Sequence, residues 1–155
     1  MAIINYLWPA LAILLSICFS TASYSQELTR LRDLTDNSAA TYPYIRCGAM
    51  YQAIMERTGI DRMGEASWQQ TEEMRMLLFM IAGLILQSEL PNVSTNEIGN
   101  ITAKDGRRIA DLYETRMNNN YAASGQSFGS DPVIGDDLDY CKVLYDQTLS
   151  VFSGN

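Results

Sequence analysis

Met76-Leu77-Leu78-Phe79-Met80-Ile81-Ala82-Gly83-Leu84-Ile85-Leu86 is an uncharged, almost wholly apolar run in the middle of the chain. It is too short to cross a bilayer, which takes about 20 residues of helix. Upstream it is preceded by the polar residues Gln69, Gln70, Glu72 and Glu73, and downstream Pro91 closes it. The pattern predicts one helix from about Glu65 to Leu90. A helix that is apolar on every side needs cover on several sides, which places this segment at the centre of a helical bundle. Gly83 costs about 1 kcal/mol relative to Ala in a helix interior, so its presence implies close approach by a neighbour.

The flanking sequence supplies the covering helices. From about Pro43 to Thr58, Cys47, Met50, Tyr51, Ile54 and Met55 recur at helical spacing. Proline suits the first turn, and Gly59 is a natural stop. Ser94-Thr95-Asn96-Glu97 is a capping box that opens a helix carrying Ile98, Ile101, Ile109, Leu112, Tyr113 and Met117. Gly99 and Gly106 weaken it, which predicts a kink or break near Gly106, and Asn118-Asn119-Asn120 marks its end. Ala122–Gly135 reads as a long Gly- and Ser-rich loop. The last helix, from about Asp136 to Phe152, has the cleanest stripe, with Leu138, Cys141, Leu144, Tyr145, Thr148, Leu149 and Phe152. Asp136, Asp137 and Asp139 fall in its first turn, where the helix dipole favours anions. Glu27–Leu34 reads as a short leading helix. No segment alternates as a strand does. The fold class is therefore all-α, a compact bundle of four main helices.

Residues 1–25 read as a secretory signal peptide, leaving 26–155 as a single helical domain. Leu7 to Phe19 is an apolar core of the right length, followed by the small residues Ser20, Thr21, Ala22, Ser23 and Ser25. An uncleaved anchor and a lipoprotein box at Cys18 rank behind it. The core is short for a spanning helix, and bulky Ile17 stands where a small residue precedes a lipidated cysteine. Beyond the signal two cysteines remain. In an oxidising compartment, periplasmic or extracellular, an even pair forms a disulfide, so Cys47 and Cys141 join the first and last main helices. In the loop-closure picture so long a ring contributes about 4–5 kcal/mol. Each cysteine is followed four residues later by a tyrosine, Tyr51 and Tyr145, one turn along the same helix face. These rings, with Tyr44 and Tyr140 nearby, are candidates for packing around the bridge or for lining a ligand or partner cleft.

Composition excludes more than it assigns. There is no histidine, which removes Ser-His-Asp and Cys-His catalysis and imidazole-bound metals. Eleven basic residues face 18 acidic ones, a net charge of −7, which argues against nucleic acid and against anionic lipid as partners. The aspartates 131, 136, 137 and 139 lack the ligand order of a calcium loop and are explained by helix capping. Met74, Met76 and Met80 have the spacing of a copper(I) site but also the composition of ordinary core. Glu72 or Glu73 with Glu56 or Glu65 would be the carboxylate pair of a hydrolase, although nothing in the sequence brings them together. Lys104, Arg107, Arg108 and Arg116 form the one basic concentration, balanced by Asp105, Asp111 and Glu114.

The layout resembles that of small periplasmic helical proteins in which one disulfide joins two helices, among them acid-stress chaperones and immunity proteins against secreted amidase toxins. That resemblance rests on size, signal, helicity and the two cysteines. No motif matches, so no functional residue carries over. The sequence therefore reads as an exported protein without cofactor or metal and without a catalytic constellation. Its role is that of a non-enzymatic factor that binds another protein, with a small-ligand binding protein as the alternative.

Overall fold

The computed structural model describes residues 28–34, 38–129 and 131–154; the segment 1–25, read above as a signal peptide, lies outside them. A single 3₁₀ turn, Leu31–Asp33, precedes five helices: α1 (Tyr42–Thr58), α2 (Ile60–Met63), α3 (Glu65–Glu89), α4 (Thr95–Ser124) and α5 (Pro132–Ser153). Four are long and α2 is a single turn. There is no strand among the described residues, so the all-α bundle of four main helices stands.

Two glycines turn the chain between its first helices. Gly59 ends α1 and Gly64 ends α2, with φ of 71° and 80° and near-extended ψ. Only glycine enters that region without a cost of about 1–3 kcal/mol. Each still donates its N–H to the carbonyl four residues back, Gly59 to Met55 and Gly64 to Ile60, both at 2.8 Å. The Ser94 hydroxyl accepts from the Glu97 N–H at 3.2 Å and opens α4 as the capping box implies.

Four boundaries or placements differ from expectation. α4 runs unbroken for 30 residues through Gly106 and past Asn118-Asn119-Asn120, ending at Gly125 in the left-handed conformation. Asn120 does not stop the helix because its amide works outside it, donating to Asp131 Oδ2 at 2.7 Å. α5 starts at Pro132, not Asp136, because the Asp131 carboxylate accepts the N–H groups of Val133 and Ile134 at 2.9 and 3.0 Å. The leading helix contracts to the 3₁₀ turn, although Leu28 and Leu31 are both buried.

The largest correction concerns the centre of the bundle. α1, not α3, is the central helix: it packs against every other helix, and the unbroken run Ile45–Tyr51 is buried. α3 buries only Leu78, Ile81 and Ala82 fully. The reason is side-chain size. Gly48, Ala49 and Ala53 let neighbours close on α1 from several sides, whereas the bulkier apolar residues of α3 reach the core from one side only. Phe79 makes the contact between these layers. Its ring occupies the seam between α1 and α4, where a Cβ on Gly48 would lie 3.0 Å from it and one on Gly106 only 2.6 Å. Gly106 is thus a packing glycine, not a hinge. Gly83, by contrast, has no close neighbour; a Cβ there would first meet Ile98 at 4.0 Å.

Cys47 of α1 and Cys141 of α5 form a disulfide with Cα atoms 5.3 Å apart, enclosing a sequence separation of 94. Both are fully buried. The bridge fastens α5, which otherwise leans on α1, the N-terminal turn and the end of α3.

Candidate functional site: an apolar groove beside α3

Three buried polar side chains, Arg46, Tyr113 and Asp137, form one network. Arg46 on α1 and Asp137 on α5 are almost completely buried, at 1% and 0% exposure. Arg46 Nη2 donates to Asp137 Oδ2 at 2.5 Å, and its Nε lies 2.9 Å from the Tyr113 hydroxyl of α4. That hydroxyl donates to Asp137 Oδ2 at 2.5 Å, and Asp137 Oδ1 accepts the Leu31 N–H at 2.6 Å. Arg46 also donates to the Thr29 carbonyl. Burial pushes the Tyr113 hydroxyl well above its usual range, with Asp137 adding to it and Arg46 opposing. Burial likewise opposes the Arg46 charge, but Tyr113 and Asp137 outweigh it, so the guanidinium stays ionised. Every partner here is internal, which makes the network a clamp joining the N-terminal turn to α1, α4 and α5.

The outer face of α3 is different. Met76, Met80 and Leu84, one helical turn apart, are 58%, 49% and 56% exposed. Between them and α4 lies an open groove of about 760 Å³. Phe79, Met80, Gly83 and Leu84 form one wall, and Ile98, Gly99, Thr102 and Ala103 the other. The missing side chains at Gly83 and Gly99 leave its floor low: a Cβ at Gly99 would meet nothing within 4 Å. Leu84 also borders a second apolar groove of about 370 Å³, on the α5 side, with Tyr44, Ile81, Ile85, Val151 and Phe152. The two troughs therefore meet at Leu84.

The larger groove is polar at one end. Arg75 and Arg107 line it there with Gln52. Arg75 is forked onto Glu72 of its own helix, at 2.7 and 2.5 Å. Arg107 grips both oxygens of Glu56 across from α4 to α1 at 2.7 Å, and also reaches Asp111 and Glu114. Glu56 and Glu114 share a hydrogen bond. The Glu114 carboxyl is raised, first by that bond and then by burial. Burial also works against the Glu56 charge, but hydrogen bonds from Glu114, Gln52 and Arg107 outweigh it and lower its pKa to about 2.

The residues singled out in the sequence are distributed as follows. Tyr51 is buried near Tyr145 and Asp146, and burial first, then those two groups, push its hydroxyl up to about 12. Tyr140 packs partly buried against the core, and Tyr44 lines the smaller groove. None of the four lines the larger groove. Met74 packs on the core while Met76 and Met80 face outward. Glu56 pairs with Glu114 rather than with Glu65, Glu72 or Glu73. Asp131 caps α5 and holds Arg116 at 2.7 Å; burial opposes its charge, but Arg116 and the capping N–H groups hold its pKa low. Asp136 pairs with Arg32. Among the described residues no three His, Cys, Asp or Glu are grouped to hold a metal ion. No described helix is long and apolar enough to cross a membrane.

Fold and groove together define a class: a disulfide-stapled helical bundle with an apolar face left uncovered by the described residues. Compared with protein-family models, curated proteins and solved structures, the chain matches none.

Proposed function

We propose that this chain is an exported, non-enzymatic protein-binding factor, of the inhibitor, immunity or chaperone kind, which docks its partner on the outer face of α3. The observation that carries the reading is the exposed row of Met76, Met80 and Leu84, with an apolar trough on each side of Leu84. Contiguous apolar surface on a soluble domain marks an interaction site, and here it interrupts a molecule of net charge −7. Periplasmic or secreted residence fits the N-terminal sequence and is compatible with the buried disulfide. The test is a photo-crosslinking residue at Leu84, compared with one at exposed Lys142 on α5, in the native host. A defined protein adduct at 84 and none at 142 is the expected result. No adduct at 84, or the same adducts at both, overturns the reading.

A second reading is favoured by one number. A groove of about 760 Å³ falls within the 300–1,000 Å³ range typical of small-ligand sites. The lining would then be Phe79 and Met80 rather than tyrosine. Native mass spectrometry separates the two: a persistent added mass, lost in Ala103→Trp, supports the small ligand.

A further inference from the structure

We infer that the C-terminal ends of α1 and α4 form a second binding site, for a phosphate monoester carried on a flat ring, with Arg57 and Arg62 taking the phosphate and Tyr121 and Phe128 the ring. This site is independent of the α3 face, since it shares no lining residue with the larger groove.

Six arginines, Arg30, Arg32, Arg46, Arg75, Arg107 and Arg116, each pair with a carboxylate. Arg57 and Arg62 pair with none among the described residues, in a chain of net charge −7. Neutral groups hold them instead. Arg57 donates from Nε to the Ser127 hydroxyl at 3.1 Å and from Nη1 to Asn118 Oδ1 at 2.7 Å. Arg62 donates from Nε to the Thr58 carbonyl at 2.7 Å and from Nη2 to the Arg57 carbonyl at 2.6 Å. Both charges therefore stay uncancelled. Arg57 Nη2 and Arg62 Nη1 keep N–H groups with no acceptor among the described residues. The turn at Gly59 that starts α2 brings Arg62 back onto the last turn of α1. α4, by running on past Asn118, delivers Tyr121, whose ring centre lies 5.2 Å from the Arg57 guanidinium. The segment after Gly125 then returns Ser127 and Phe128. Together with Thr58 these side chains line a hollow of about 310 Å³, and no carboxylate is among them. That volume is at the small end of the range for ligand sites. Tyr121 is 56% and Phe128 37% exposed, so ring surface is left over for a flat group to stack on. Two guanidiniums with N–H groups to spare match the two charges and three oxygens of a phosphate monoester. A carboxylate would cancel only one of the charges.

The test is a titration of the isotopically labelled protein at low salt, read by the NMR signals of the arginine Nε–H groups. Phenyl phosphate is expected to shift Arg57 and Arg62 and to bind about tenfold tighter than inorganic phosphate, benzoate or phenol. Near 1 M salt its affinity should fall as charges are screened. Arg62→Gln is expected to weaken phenyl phosphate about fivefold, with the fold checked by circular dichroism. Arg62→Lys should lose less, and Lys142→Gln should change nothing. Tyr121→Ala with Phe128→Ala is expected to bring phenyl phosphate within about threefold of inorganic phosphate. A capped phosphotyrosine then distinguishes the sources. Binding as tight as that of phenyl phosphate assigns the site to a phosphorylated side chain of a partner protein, weaker binding assigns it to a free aryl phosphate, and the inference stands in both cases. Inorganic phosphate, benzoate or phenol binding as tightly as phenyl phosphate overturns it. So does indifference to Arg62→Gln, or no binding at all.

Discussion

α1 and α3 invert the usual relation between apolarity and burial. α1 carries an arginine in its most buried stretch and sits at the centre, while α3 carries the uncharged run and leaves Met76, Met80 and Leu84 in water. The difference teaches that apolarity states what a helix needs covered, not which molecule covers it. Small residues decide which helix neighbours can surround, and α1 has them at Gly48, Ala49 and Ala53. Once the centre is taken, an apolar surplus on α3 has no partner among the described residues. A charge at the centre is acceptable only if paired, and Arg46 is bonded through Nε and Nη2 to Tyr113, Asp137 and the Thr29 carbonyl.

Breaking the clamp attacks the α1 half of this contrast with the largest effect. Asp137→Ala strands a buried guanidinium, the Tyr113 hydroxyl and the Leu31 N–H, and is expected to destabilise by about 3–5 kcal/mol in denaturant unfolding. The double variant Arg46→Met with Asp137→Leu is expected to cost less than Asp137→Ala alone, since it leaves no unpaired charge.

The glycines of α4 sharpen the contrast between a packed seam and an open trough. Gly106→Ala pushes a methyl onto the Phe79 ring, which Gly48 confines from the other side, and is expected to cost about 1–3 kcal/mol. Gly99→Ala meets nothing and is expected to stabilise by about 0.5–1 kcal/mol through helix propensity. Thermal melts of the two variants should move in opposite directions.

Met80→Glu with Leu84→Glu tests the outer face itself. If α3 is uncovered, this pair changes stability by only about 0.5 kcal/mol either way, and Met80→Glu alone, combined with the crosslinking residue at 84, is expected to abolish the adduct. A cost of several kcal/mol would mean that these side chains are core.

The smallest expected effect is in the acid limb. With its pKa lowered from 4.5 to about 2, Glu56 contributes stability that is present above pH 4.5 and lost as pH falls toward 2. Glu114 is shifted the other way and offsets part of this. Glu56→Gln should therefore flatten the fall in melting temperature between pH 4.5 and pH 2 without altering its neutral value much.

Much of the fold was legible. Helical spacing, Pro43, Gly59, Pro91 and the Ser94 box placed the main helices, and cysteine arithmetic paired Cys47 with Cys141. The centre was misassigned because hydropathy is blind to side-chain size. The clamp was missed because Arg46 and Asp137 each read as an ordinary helix charge. A signal was present: Asp137 falls on the stripe of Ile134, Leu138 and Cys141, the face that a helix buries. A charge on a buried stripe calls for an opposite charge on a neighbouring one, and Arg46 sits between Ile45 and Cys47. Which glutamate meets which was not legible, since Glu56 and Glu114 are brought together only by the crossing of α1 and α4.

Methionine oxidation rates give the most direct test. In the isolated protein Met80 and Met76 should be oxidised by peroxide far faster than the fully buried Met50 and Met117. In a native fraction of the host that holds the proposed partner, Met80 should slow toward the rate of Met50. If Met80 is as protected as Met50 in the isolated protein, or reacts equally fast in both settings, the α3 face is not an unfilled docking surface and the account fails.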